Sequence, residues 1–104
     1  MLTEKDYCDY ETALKLCALG YPGTAWILLY SAQKWLREEK GMHIEINLQF
    51  LSEEKRWYWG FTIIYFYNPD LVSINGVYSS YEETLSEAIK ETVKILKEEL
   101  NEET

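Results

Sequence analysis

The run Trp57-Tyr58-Trp59-Gly60-Phe61-Thr62-Ile63-Ile64-Tyr65-Phe66-Tyr67 constrains this chain more than any other stretch. Apart from Gly60 and Thr62, every residue in it is aromatic or isoleucine. It holds no charge and no proline, which is the composition of a strand well inside a sheet. Alternation places Trp57, Trp59, Phe61, Ile63, Tyr65 and Tyr67 on one face and Tyr58, Gly60, Thr62, Ile64 and Phe66 on the other. The first, heavier face is the one expected to carry the core. Gly60, in mid-strand, marks either a bulge or a large ring crossing it.

The preceding segment pairs with this strand. From Met42 the pattern alternates, with Ile44, Ile46, Leu48 and Phe50 to one side and His43, Glu45, Asn47 and Gln49 to the other, as in a half-buried strand. Ser52 to Arg56 is polar and of hairpin length. Pairing Leu51 with Arg56 sets Ile44, Ile46, Leu48 and Phe50 opposite Ile63, Phe61, Trp59 and Trp57, which gathers the bulkiest side chains on one face. A loop longer by one residue would turn the central strand over.

Helices flank the hairpin. Tyr10, Ala13, Leu14 and Cys17 recur at helical spacing over Asp9 to Leu19, with Asp6 or Asp9 as N-cap and Gly20 beyond the C-terminus. A helix this short needs something to dock on. A second helix runs to Lys40, with Leu28, Leu29, Ala32, Trp35 and Leu36 inward and Gln33, Lys34, Arg37, Glu38 and Lys40 in water. It starts either at a Thr24 cap or, after an extended approach, at Ser31, with the earlier start slightly preferred. Asn68-Pro69-Asp70 and Asn75-Gly76 read as turns. A third strand covers Val77 to Ser79, with or without Leu71 to Ile74. Ser80-Tyr81-Glu82-Glu83 is a capping box opening the last helix, whose stripe is Leu85, Ala88, Ile89, Thr92, Val93, Leu96 and Leu100, with Asn101 to Thr104 fraying.

The expected order is therefore α-α-β-β-β-α: an α+β, two-layer fold with a three-stranded antiparallel meander and helices mainly on one face. At 104 residues and 47% hydrophobic content, the whole of 1–104 is expected to be a single domain with one core. The opposite sheet face stays partly open unless the first helix folds over it. That face, bearing His43, Glu45, Asn47, Gln49, Tyr58, Thr62, Ile64 and Phe66, is the candidate partner-binding surface, for a protein partner or a twin subunit.

Charge narrows the partners. The formal net charge is −8, and from Tyr81 onward eight acidic residues face three lysines, leaving −5 there. Such a surface repels nucleic acid and anionic membranes. Cys8 and Cys17 are nine residues apart on or beside one helix, roughly 13 Å at 1.5 Å per residue, too far for a disulfide, so both read as reduced packing thiols. No targeting segment is visible, and the longest apolar run, Ala25 to Tyr30, cannot span a bilayer, so the expected location is cytoplasmic.

Catalysis finds little support. His43 is the only histidine, with Glu45 two positions on and no nucleophile in sequence reach. The glutamates of the last helix are spaced as solvated charges rather than converging as cation ligands. There is no phosphate loop, no metal-spaced Cys/His set and no nucleophile elbow, so no cofactor is expected. The preferred reading is a non-enzymatic interaction or accessory domain. The alternative is a ligand or enzyme cleft between the first helix and the aromatic strand, lined by Trp26, Tyr65 and Tyr67.

Three resemblances bear on this. The segment Lys34-Trp35-Leu36-Arg37-Glu38-Glu39-Lys40-Gly41-Met42-His43-Ile44, with Tyr78-Ser79-Ser80-Tyr81-Glu82-Glu83-Thr84-Leu85 and Ala88-Ile89, resembles a small family of uncharacterised proteins from Bacteroides and its phages. In that family a Trp-Leu-Arg-Glu helix end leads into a strand and a Ser/Thr-Tyr-Glu-Glu cap opens the closing helix. The likeness implies a mobile-element or accessory role. From Thr24 onward the element order is also similar to double-stranded-RNA-binding domains, but their closing helix opens on basic residues where this one has Glu82 and Glu83. The basic residues Lys34, Arg37, Lys40, Lys55 and Arg56 are all there is to set against that. The acidic last helix is similar to what a HicB-like antitoxin offers a basic toxin, although that family's fold begins with a strand and usually adds a DNA-binding part.

Overall fold

A computed structural model of the chain describes residues 2–23, 26–68 and 72–102, and side chains throughout these except 72–75 and 100–102. After a 3-10 turn at Glu4–Asp6 come helices α1 (Tyr10–Ala18) and α2 (Leu29–Lys40), strands β1 (Met42–Leu51), β2 (Arg56–Tyr65) and β3 (Val72–Tyr78), and helix α3 (Tyr81–Glu102). The sheet is antiparallel with order β1-β2-β3. This is the α+β meander with its helices on one face.

The hairpin has the register that apolar alternation demands: Ile44 faces Ile63, Ile46 faces Phe61, Leu48 faces Trp59 and Phe50 faces Trp57. Its loop closes with Lys55 at a positive φ of 54°. The core forms where the helices meet this face, from Ile44, Phe61 and Ile63 with Leu29, Ala32 and Leu36 of α2 and Leu85, Ala88, Ile89 and Val93 of α3.

α1 is capped by Asp9, whose carboxylate accepts from the Thr12 N–H at 2.7 Å. It ends in a Schellman motif, the Tyr21 and Gly20 N–H groups donating to the Leu16 and Cys17 carbonyls at 3.0 Å. α1 packs on α3 rather than crossing the sheet's other face. Its buried side is Thr12, Ala13 and Leu16, whereas Tyr10 and Leu14, expected inward, are exposed.

The earlier start expected for α2 does not occur, although Thr24 itself lies outside the described residues. The Ile27 carbonyl accepts from the Cys8 N–H at 2.8 Å, and Tyr7 and Leu28 form an isolated bridge. The approach is held extended by the N-terminal segment. Helical bonding begins with Ala32 N–H on the Leu28 carbonyl at 3.0 Å, so Ser31 lies within the helix rather than capping it.

Asn75-Gly76 is not a turn. It lies inside β3, where the register slips between Trp59 and Phe61: Tyr78 faces Trp59 but Asn75 faces Phe61, so Gly60 opposes two residues of β3. Gly60 marks a bulge, and Gly76 (φ 141°) is the residue that lets the backbones touch, since a Cβ on it would lie 2.4 Å from the Gly60 Cα. Of the turn expected at Asn68-Pro69-Asp70, Pro69 and Asp70 lie outside the described residues, while the Asn68 N–H donates to the Tyr65 carbonyl at 3.2 Å.

α3 opens at the expected cap, but only half of the capping box forms, because the Glu83 side chain bonds to the Ser79 hydroxyl rather than reaching back to the Ser80 N–H. Ser80 Oγ accepts from the Glu83 N–H at 3.2 Å, while the Glu83 carboxylate takes a bond from the Ser79 hydroxyl at 2.9 Å. Thr84 and Thr92 are buried on its inner face with their hydroxyls returned to the Ser80 and Ala88 carbonyls, so their burial leaves no polar group unpaired.

Candidate functional site

The sheet face that carries the eight candidate partner-binding residues presents little exposed apolar surface. His43 is half-buried, stacked on Phe66 at 6.2 Å, with Nε2 3.6 Å from the exposed Glu45 carboxylate. Asn47 donates to the Thr62 hydroxyl at 3.2 Å, and both are half-buried, as is Ile64. Gln49 is exposed. Tyr58 is buried, because the Arg56 guanidinium lies 4.2 Å over its ring and the tyrosine hydroxyl donates to the Glu54 carboxylate. That hydrogen bond lifts the Tyr58 pKa above its ordinary value and lowers that of Glu54. With Tyr58 covered and Ile64 half-covered, only Phe66, just past β2, is left as a large exposed apolar group among the eight residues.

The exposed apolar surface lies instead at the far end of the helix-facing side. α2 passes into β1 through Gly41 alone, so it lies over the Met42 end of the strand. α3 departs from β3 after Tyr78, which pairs with Trp59, and runs back over the sheet. The pairing of β3 along β2 likewise ends at Trp59. Outward from the Leu48–Trp59 pair, where β3 and α3 still touch Trp59, the hairpin is therefore a two-stranded arm that outruns both the third strand and the helix layer. Period-two alternation continues into this arm, and on the helix-side face it leaves Trp57 61% exposed, Phe50 51% and, at the root, Leu48 48%, while Leu51, 36% exposed, lies on the other face.

Rings link this arm to the body. Phe50 and Trp57 pack at 5.2 Å, Trp59 meets Tyr81 edge-on at 5.5 Å, and Tyr81 stacks with the exposed Tyr30 at 6.2 Å. Several contiguous aromatic and aliphatic side chains in water exceed the scattered exposure of an ordinary surface. The signal was present in the sequence as alternation carried to the hairpin tip, but alternation does not report how far a helix layer reaches.

A second feature is an open groove of about 730 Å³ between the N-terminal segment and the start of α3. Its walls include Tyr7, Tyr10 and Trp26 with Glu4, Glu82 and Glu83. Trp26 is 74% exposed and meets Tyr7 edge-on at 5.6 Å. Tyr65 and Tyr67 do not line it; they pack edge-on with each other, and the Tyr67 ring lies against Gly41, so the three residues expected to form one cleft are not brought together. Cys8 borders the groove, but burial pushes its thiol up to about 12, with neighbouring Asp9 adding to the rise, which removes it as a nucleophile at neutral pH.

Among the described residues no three His, Cys, Asp or Glu side chains converge on a metal position, and no helix is long and apolar enough to cross a membrane. No protein-family model, no curated protein and no solved structure matches the chain.

Proposed function

We propose that this chain is a non-enzymatic protein-interaction domain of accessory type, and that its docking surface is the bare helix-side face of the β1–β2 arm. One observation carries the reading: Leu48, Phe50 and Trp57 share one face of a projecting hairpin and are each about half exposed or more. Such a surface costs solubility when alone and becomes favourable when buried, and aromatic anchors at the centre of a contact supply most of its energy. The test is capture of partners from native lysate with the wild type and with Phe50→Thr/Trp57→Thr. Partners held by the first and lost by the second support the reading, and an unchanged set removes it.

The groove favours a second reading, an acidic partner for a basic protein. Exposed Trp26 and Tyr10 beside Glu4, Glu82 and Glu83 suit a lysine- or arginine-rich segment through cation–π contact and charge. Against it, Glu83 is engaged by Ser79 and the groove's Asp9 and Glu87 by Lys90, so much of the groove's charge is already spoken for. Titration with an oligolysine peptide at low and high salt separates the two readings: Trp26→Ala abolishes binding under this one and leaves arm-mediated capture intact.

A further inference from the structure

We propose that the outer edge of β1 pairs with the same edge of a second copy of this chain, about a two-fold axis beside Leu48. This deepens the docking-surface reading and rests on it.

The phase of β1's hydrogen bonding is fixed by two contacts. Phe66 N–H donates to the Gly41 carbonyl at 2.8 Å, so Gly41 and every second residue after it bond to β2. The alternate set points outward, and accordingly the Ile44 carbonyl accepts from Gln33 Nε2 at 3.1 Å. Gln33, expected in water, thus closes the edge where α2 lies beside it. Beyond that, Ile46, Leu48 and Phe50 present backbone N–H and C=O groups outward with no partner among the described residues, which is an open template for another strand.

This template is self-complementary. Turned through a half-rotation about Leu48, Ile46 comes opposite the partner's Phe50, Leu48 opposite the partner's Leu48, and Phe50 opposite the partner's Ile46. Each residue then has its bonding groups aimed at its mate. All three side chains lie on the helix-facing side, so the pairing joins the two bare apolar surfaces as well as the two sheets. An isologous contact of this kind closes at two copies.

Charge selects this approach over others. The chain carries −8, which opposes self-association elsewhere, but in Leu48–Trp59 Glu53 and Glu54 are balanced by Lys55 and Arg56, so the arm's net charge is zero. The nearest acidic residue on the strand, Glu45, falls opposite the partner's Leu51, far from its own symmetry mate.

Cysteine cross-linking tests the geometry. Residues paired across hydrogen-bonded antiparallel strands have Cα atoms about 5.5 Å apart, within disulfide reach, so Leu48→Cys forms a covalent dimer under mild oxidation. Glu45→Cys, separated from its mate by roughly 20 Å at 3.4 Å per residue, does not. Light scattering gives the wild type a mass that climbs from one protomer to two with concentration. Leu48→Pro removes only an outward N–H; it retains the wild-type circular dichroism and stays at one protomer. A wild type that remains monomeric to near-millimolar concentration, growth past two copies, or equal cross-linking through Glu45→Cys overturns the proposal. If the chain is monomeric yet Phe50→Thr/Trp57→Thr still loses its captured partners, the second copy is wrong and the docking surface stands. If neither mass nor capture responds to the arm, both fall.

Discussion

Asp9 and Lys90 join the first helix to the last: the carboxylate that caps α1 through Thr12 also receives Lys90 Nζ at 3.0 Å. Burial works to raise the Asp9 pKa, but the Thr12 hydrogen bonds and Lys90 outweigh it and hold the carboxyl below its ordinary 3.8. Lys90 is raised above 10.5, chiefly by its hydrogen bond to Asp9. A depressed carboxyl contributes stability above its unfolded value and loses it as pH falls through the folded value. A raised lysine contributes below 10.5 and loses it as pH rises through its own folded value. Asp9→Ala therefore costs about 1 kcal/mol at neutral pH, mostly through the lost cap. Asp9→Asn keeps the cap, costs a few tenths, and flattens the stability profile below pH 3.8. Urea melts across pH, with Lys90→Met as the second arm of a double-mutant cycle, measure both terms.

Gly76→Ala is expected to be among the most damaging single-methyl changes in the protein. Its φ of 141° is outside the range of an L side chain, and the new Cβ would meet the backbone of β2 at Gly60 rather than a side chain able to move aside. Strain of this kind costs at least about 2 kcal/mol. Chemical denaturation should show a lower midpoint, whereas alanine at Gly20, where a Cβ meets nothing within 4 Å, carries only the conformational part of that cost.

Gly76 shows where sequence reasoning stops, and the hairpin shows where it succeeds. The hairpin register follows from matching apolar faces, because slipping Leu51 off Arg56 by one would send Phe61 and Ile63 into water. The α3 cap follows from Ser80 and Glu83 because the chemistry is local. Asn75-Gly76, by contrast, has the same composition whether it turns a hairpin or opens a bulge, and only the length of β3 beyond it decides. The start of α2 depends on a bond from Cys8 to Ile27, nineteen residues further on, which no local pattern encodes. The candidate surface moved for a related reason. Tyr58 is hidden by neighbours two and four residues away that bend back over it, and the bare arm exists because helices joined by short connections cover only the near end of the strands.

Lys55 occupies the left-handed position of the hairpin loop, φ 54°, where glycine or asparagine is favoured. Lys55→Gly should stabilise the fold by up to about 1 kcal/mol, offset in part by the added freedom of the unfolded chain. Thermal melts of the single variant check the sign. The change also takes the arm's net charge from zero to −1, which weakens any self-association of the arm at low salt and less so at high salt.

Cys8 should resist alkylation in the native protein. It is buried, and its thiol, pushed up to about 12, holds a negligible thiolate fraction at neutral pH. Mass-spectrometric mapping after iodoacetamide treatment should find it unmodified in buffer and modified in denaturant. Rapid native labelling would mean that the bridge of Tyr7 to Leu28, which seals this residue against Ile27, opens readily.

The arm and the core carry similar residues but should respond oppositely to substitution. Phe61, 2% exposed at the centre of β2, loses its whole contact shell on change to alanine, at a cost of roughly 3–5 kcal/mol. Phe50 and Trp57 are more than half exposed and pack on each other, so replacing both with threonine, a good strand former, costs only about 1 kcal/mol of ring pairing. Denaturation midpoints for the two sets check this ordering. If Phe50→Thr/Trp57→Thr proved as destabilising as Phe61→Ala, the arm would be part of the folding core, and its rings would be serving the chain itself rather than a surface kept for a partner.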